Sequence, residues 1–312
     1  MSLIRLLQRK PDGEIVFREP TSGKVPAYAI LSHTWGNEEV TYEDLNKGKG
    51  KNKTVNKAGW RKIQFCAKQA AVDGLEYFWV DTCCIDKKSS SELTEAINSM
   101  YMWYESAAIC YVYLVDLPGG YSPPMDNEEG TRLHQKDWVS SLAGCGWFRR
   151  GWTLQELIAP KQLVFFGNDG NFIGSKLDLL CTLSDITGID SIALSHRCNL
   201  EELSIAKRLS WAARRKTTRI EDTAYSLLGL LNINMTLLYG EGEKAFTRLQ
   251  EEIIRKSADS SVFAWFRGAK YGLLAPSPAY FESCSKVILC SGGTVAHSFE
   301  LTHRGLRMKL PI

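Results

Sequence analysis

Between Trp147 and Glu156 the chain reads Trp-Phe-Arg-Arg-Gly-Trp-Thr-Leu-Gln-Glu, placing two indoles, two guanidiniums and a carboxylate within one short stretch. Residues Trp152 to Ala159 suit a short helix, which Pro160 must end because proline has no N–H and clashes with the preceding turn. On such a helix Trp152 and Glu156 stand at i and i+4 and share a face. A carboxylate beside an aromatic ring is partly desolvated, which raises its pKa and suits it to act as an acid, a base or a stabiliser of positive charge. Glu156 is therefore the candidate catalytic residue. The structural alternative is that Glu156 pairs with Arg149 or Arg150 and that the indoles are core.

The elements that must position this stretch alternate in type. Tyr28-Ala29-Ile30-Leu31-Ser32-His33 is an apolar run closed by Thr34-Trp35-Gly36 and reads as a buried strand. Trp60, Ile63, Cys66, Ala67, Ala70 and Ala71 fall on helical spacing. Tyr77-Phe78-Trp79-Val80 is a second strand, followed by the polar loop Asp81-Thr82-Cys83-Cys84-Ile85-Asp86. Ser89 with Glu92 forms a capping box for a second helix, whose buried stripe is Leu93, Ile97, Met100, Tyr101 and Tyr104. Ile109 to Val115 is a third strand, closed by Asp116. A Gly/Pro-rich insertion, Pro118 to Gly130, then leads to a helical stretch around Trp138 to Leu142. Leu163-Val164-Phe165-Phe166 is the fourth strand.

Strands that alternate with helices and are themselves continuous apolar runs imply an α/β fold, with a parallel sheet flanked by helices. In such sheets ligands bind outside the carboxyl ends of the strands. The chemistry-bearing residues at those ends are Ser32, His33, Trp35, Asp81, Cys84, Asp86 and Asp116, and they form the candidate binding set. Each has a bland reading beside it. Polar residues gather at strand ends to make turns, His33 can be a satisfied strand-end histidine, Cys83 and Cys84 can be core, and Asp81 and Asp86 can cap the second helix or pair with Lys87 and Lys88. Gly48-Lys49-Gly50-Lys51 lacks the spacing of a phosphate loop and does not follow a strand, so the segment from Asn46 to Lys57 reads as a solvated loop.

After Gly167 the pattern changes. Ile205, Leu209 and Ala212 mark one helix, Ala224, Leu227, Leu228 and Leu231 another, and Phe246, Leu249, Ile253 and Ile254 a third. Leu237 to Glu243 is an acidic, glycine-punctuated turn. Val262 to Phe266, Val287 to Cys290 and Leu306 to Leu310 are strand-like. The expected organisation is an α/β core over residues 1–170, then a helical subdomain with a small antiparallel β element over residues 171–312. The abrupt end at Pro311-Ile312 suggests a piece of a longer protein.

Composition excludes several classes. The 312 residues are 44% hydrophobic and 23% charged, with a net charge of +3, a field too weak to argue for nucleic acid or a membrane surface. No apolar run approaches the roughly 20 residues of a membrane span, and the N-terminus is no signal peptide, so a cytoplasmic protein is expected. The nine cysteines are scattered without a C-x-x-C pair, and the five histidines show no ligand spacing beside them. Neither a disulfide framework nor a metal site is expected.

Three stretches, Tyr28 to Gly36, Phe78 to Asp86 and Arg149 to Glu156, resemble in order and spacing the signature blocks of the fungal heterokaryon-incompatibility (HET) domain. The resemblance continues through Asp222 to Gly229 and Leu238 to Phe246, covering nearly the whole chain, and is close to vegetative-incompatibility proteins in which such a domain precedes nucleotide-binding (NACHT) and WD-repeat modules. One departure is Lys87, where the family commonly carries Gln after the second block. The resemblance implies a cell-death effector, akin to innate immunity, acting when unlike hyphae fuse, with self-association and a sensor module in the same longer chain. The layout of strands, with Trp-x-x-x-Glu on the helix before the fourth, also looks like Toll/interleukin-receptor (TIR) domains, a flavodoxin-like fold. In their catalytic members a matching Glu drives cleavage of NAD at its nicotinamide–ribose bond, which by resemblance assigns that role to Glu156, with NAD as a substrate and no resident cofactor. Trp152 or Trp35 would stack on nicotinamide, and Arg149 or Arg150 would meet the pyrophosphate. Two other readings stand beside it: a non-catalytic adaptor that assembles and recruits a downstream effector, and a cysteine hydrolase using Cys84 and His33.

Overall fold

The computed structural model describes residues 4–19, 24–46, 54, 56–118, 131–266, 272–289, 299–302 and 305–308. Most of the Asn46 to Lys57 loop, nearly all of the Pro118 to Gly130 insertion, and Cys290, Lys309 and Leu310 lie outside them. The chain forms two compact units, one of residues 1–148 and 156–186, the other of residues 149–155 and 187–312.

In the first unit the four apolar runs form parallel neighbours. β3 (Tyr28–His33), β4 (Tyr77–Trp79), β5 (Ile109–Tyr113) and β6 (Leu163–Phe166) lie in the order β4-β3-β5-β6. Two elements precede them in sequence, β1 (Leu6–Arg9) and β2 (Ile15–Arg18), which extend the β4 side as antiparallel strands. β7 (Phe172–Ser175) closes the opposite edge, antiparallel to β6. The sheet is thus α/β as expected, but mixed: its parallel centre carries antiparallel strands at both edges. The chain order reverses between β3 and β5, the switch point of a doubly wound sheet, which is where sheets of this kind place their ligands.

Helices cover both faces. α1 (Tyr42–Asn46) follows β3, and α2 (Trp60–Val72) buries Ile63, Cys66, Ala67 and Ala70 at the spacing read from the sequence. The α2 residue Phe65 sets its ring against Tyr111, Tyr113 and Phe166, which share one face because alternate strand residues point the same way. Gly74 ends α2 at φ +73°, a left-handed conformation that glycine adopts without strain. α3 (Asp81–Cys84) is a single turn at the end of β4. α4 (Ser90–Ser106) covers the other face, where Trp103 and Tyr104 meet Trp79. Ser89 caps α4 by accepting the Glu92 N–H, while the Glu92 carboxylate turns to Arg5 and the Asp86 N–H; half of the expected capping box is therefore present. α5 (Thr131–Gly144) follows, and α6 (Thr153–Ile158) begins one residue after Trp152.

α7 (Leu180–Thr187) ends the first unit's run. The second holds α8 (Ser191–Leu194), α9 (Ile205–Ser210), α10 (Asp222–Tyr225), α11 (Lys244–Lys256) and a hairpin of β8 (Phe299–Thr302) with β9 (Gly305–Met308). α11 matches its predicted stripe, with Phe246, Leu249, Ile253 and Ile254 buried. Gln250 is buried beside them, and its amide both donates to the Ala275 carbonyl and accepts the Ala275 N–H, so no polar group there is left unpaired. Three expectations fail. The helix read over Ala224 to Leu231 is confined to α10, Val262 lies in a 3-10 turn (Ser260–Phe263), and residues 287–289 form no strand. A short apolar run without alternation fits a buried strand and a buried helical turn equally well.

Candidate functional site at the strand ends

Ser32 is the penultimate residue of β3 and points to the α4 face, in register with Val112 and sharing its side with Ile30 and Trp79. Its hydroxyl donates to Glu156 Oε2 at 2.5 Å and accepts the Trp147 indole N–H at 2.8 Å. Trp147 is fully buried, its ring edge-on to Phe148 and Phe165. The buried Tyr104 hydroxyl has one proton to place between the Leu31 carbonyl (3.1 Å) and the Glu156 carboxyl. Burial first, and then the Glu156 and Asp81 charges, push this phenol well above its ordinary range. A neutral-donor chain thus runs from Trp147 through Ser32 to Glu156, whose side chain is only 7% exposed.

Glu156 is further fixed by its helix. Lys176, 1% exposed, lies at the C-terminal end of α6, where it donates to the carbonyls of Leu157 (3.2 Å), Ile158 (3.5 Å) and Pro160. A cation there meets carbonyls that have no partner within the helix and the negative end of the helix dipole. Burial lowers the lysine's pKa.

His33 points to the opposite face, into a separate charged cluster. Its Nε2 lies 3.1 Å from Asp81 Oδ1, and its Nδ1 lies 3.2 Å from Lys62 Nζ. The ionised Asp81 can only accept, so Nε2–H donates to it, while Nδ1 faces both the Lys62 ammonium and, at 3.2 Å, the Thr34 carbonyl. Lys62 also donates to the Thr34 carbonyl at 2.8 Å and pairs with Glu39. Burial raises the Asp81 carboxyl, but hydrogen bonds and charge from His33, Lys87 and Trp35 outweigh it and hold the group at about 2. The Trp35 indole donates to Asp81 Oδ2 at 2.7 Å, and Lys87 Nζ stands 3.5 Å from the centre of the Trp35 ring. The sequence offered Lys87 as a partner for Asp81 or Asp86 and as a departure from a pattern; its cation on an exposed indole is the feature that spacing could not reveal.

The remaining candidates separate. Cys84 is buried, its thiol accepting the Val80 N–H at 3.4 Å, and Cys83 is buried with its thiol pushed well up, first by burial. With both His33 nitrogens engaged and the Cys84 thiol turned inward, the cysteine–histidine arrangement is absent. Asp86 makes a turn, accepting the Lys88 N–H at 3.0 Å, and Ser89, not Asp86, caps α4. Arg149, Arg150 and Trp152 belong to the second unit. The Arg149 carbonyl accepts the Lys216 N–H and the Gly151 N–H returns to the Lys216 carbonyl, an isolated bridge. The Trp152 indole hydrogen-bonds Asp222, which also accepts the Tyr239 hydroxyl at 2.8 Å and whose carboxyl burial pushes up. Trp152 and Glu156, expected to share a helix face, thus take different partners. Asp116 accepts the Gly146 N–H at 2.6 Å, a turn-making role. Among the described residues no group of three His, Cys, Asp or Glu side chains could hold a metal ion.

The model of the heterokaryon incompatibility protein (HET) family matches residues 28–156, from the first residue of β3 to Glu156 itself. Residues 28–156 are a HET domain. The chain is also 48% identical over 254 residues to the vegetative incompatibility protein HET-E-1 of Podospora anserina, covering 80% of this chain and 18% of that protein. The chain therefore spans about a fifth of the length of that relative. A domain of unknown function (DUF8212) matches residues 244–271, beginning with α11. No solved structure matches. The HET match contains the Ser32–Trp147–Glu156 chain and the His33–Asp81–Trp35 cluster, whereas Lys176 lies outside it.

Proposed function

We propose that this HET domain is the death-inducing part of an incompatibility protein, and that it acts by hydrolysing NAD at the nicotinamide–ribose bond. The first half rests on the match to a protein named for vegetative incompatibility. The observation that carries the second is the Glu156 carboxyl, locked by Ser32 beside the β3/β5 switch point, where open α/β sheets place ligands. Cleavage of the bond passes through an oxocarbenium-like state. A carboxylate oriented before the reaction stabilises that charge, and water completes the exchange to give ADP-ribose, nicotinamide and a proton. Ser32 and Trp147 serve as positioning residues, because they fix the rotamer of Glu156. In this reading the domain works in the cytoplasm, self-associates to become active, and answers to a nucleotide-binding and WD-repeat sensor in a longer chain. The likeness to TIR domains stays at the level of strand order and one carboxylate.

The near-complete burial of Glu156 favours a second reading, in which the carboxyl only braces the fold and the domain is an adaptor that assembles and recruits another effector. The test is NAD consumption by concentrated purified protein, wild type beside Glu156→Gln. Loss of NAD with wild type and not with a folded variant supports hydrolysis. Killing retained by both proteins, with no NAD lost, supports the adaptor.

A further inference from the structure

The Trp35 ring is 44% exposed, yet it is not loose. Its indole N–H is tied to Asp81 at 2.7 Å, and Asp81 is tied in turn to His33. A rigid aromatic face open to solvent, with a carboxylate at its edge, has the make-up of a site for cations. It already holds one, since Lys87 Nζ stands over the ring at 3.5 Å. Lys87 follows Asp86 in an exposed turn on a flexible four-carbon stem, and its strongly hydrated ammonium suits an aromatic face less well than a flat, delocalised charge does. Lys62, the other cation of the cluster, is engaged by Glu39, the Thr34 carbonyl and His33. Withdrawal of Lys87 would therefore leave an ionised carboxylate beside a bare indole.

We propose that the Trp35 face, backed by Asp81, recognises a planar organic cation and that Lys87 occupies the site until such a cation displaces it. Resting on the reading above, the cation is the nicotinamide ring of oxidised NAD. That ring carries its positive charge only while the glycosidic bond is intact. The site accordingly prefers the oxidised cofactor to the reduced one, and cleavage abolishes the attraction and releases neutral nicotinamide. The freed Lys87 ammonium becomes available to the phosphates of the same ligand.

The test uses 1-methylnicotinamide, which has the cationic ring but no bond for the enzyme to cleave, against neutral nicotinamide. Both are titrated calorimetrically into the full chain. Wild type should bind the cation about 3- to 30-fold more tightly than the neutral ring, the range a cation–π contact supplies. Lys87→Met should tighten the cation several-fold and leave nicotinamide unchanged, because the competitor on the ring is gone. Trp35→Leu should erase the preference, and Trp35→Phe, which keeps a ring should the leucine variant fail to fold, should reduce it. Equal binding of the two rings, no binding of either, or weaker cation binding in Lys87→Met overturns the proposal. A cation preference without NAD consumption upholds the site and removes the hydrolase reading; NAD consumption without the preference does the reverse.

Discussion

At the residue scale, Ser32 is the joint on which Glu156 depends. Ser32→Ala removes a donor from Glu156 and an acceptor from the buried Trp147 N–H. Leaving a buried polar group unsatisfied costs about 1–3 kcal/mol, so the variant should lower the urea midpoint by that equivalent, and its NAD cleavage should fall further than its stability explains. Asp81 supplies a pH prediction. Its folded carboxyl sits at about 2 against an ordinary 3.8, so it contributes stability above roughly pH 4 that is lost as pH falls towards 2. Unfolding free energies at pH 6 and pH 3 should differ by about 1 kcal/mol more in wild type than in Asp81→Asn. An identical pH slope in the two proteins would sink that assignment. Glu156 stood out in the sequence because a lone carboxylate among aromatics is conspicuous. Ser32 was among the candidates, but its pairing with Glu156 was not legible, because the two lie 124 residues apart and nothing local in either segment specifies it.

At the element scale, what the sequence made legible depended on burial. β3, β4, β5 and β6 are covered on both faces and so read as continuous apolar runs. β2 and β7 are short edge strands and β1 is a short strand between β2 and β4; all three have polar or exposed ends, and their four-residue patterns resemble ordinary surface sequence. Two elements carry predictions. α6 relies on Lys176 for its last carbonyls, so Lys176→Met should destabilise the first unit by about 3 kcal/mol, read as a drop in melting temperature. Gly151 lies in the bridge to Lys216, where an added Cβ would stand 2.4 Å from Thr217 Cγ2. Gly151→Ala should therefore overpack the site and cost about 1–3 kcal/mol, measured the same way. The glycine of the signature block has a packing role at that place, which spacing alone did not distinguish from a catalytic one.

At the scale of the whole molecule, residues 149–155 interrupt the first unit in sequence while finding their partners in the second, at Lys216 and Asp222. The expected division at residue 170 followed a change in hydrophobic periodicity, which does not register a short segment that leaves and returns. A fragment of residues 1–186 strips the Arg149–Gly151 strip of its bridge, and it should melt less cooperatively and be cleaved faster by protease than the full chain; equal resistance would show that the strip needs no partner.

The thiols of the first unit give that comparison an internal clock. Cys66, Cys83 and Cys110 are buried, with their ionisation pushed well up by desolvation, whereas Cys181 is exposed. Only thiolates react with a maleimide, so Cys181 should label at once and the five buried thiols of the unit, Cys84 and Cys145 included, at the pace at which the sheet opens. The lag between the two phases, followed by mass spectrometry of intact protein, times that opening with no engineered probe.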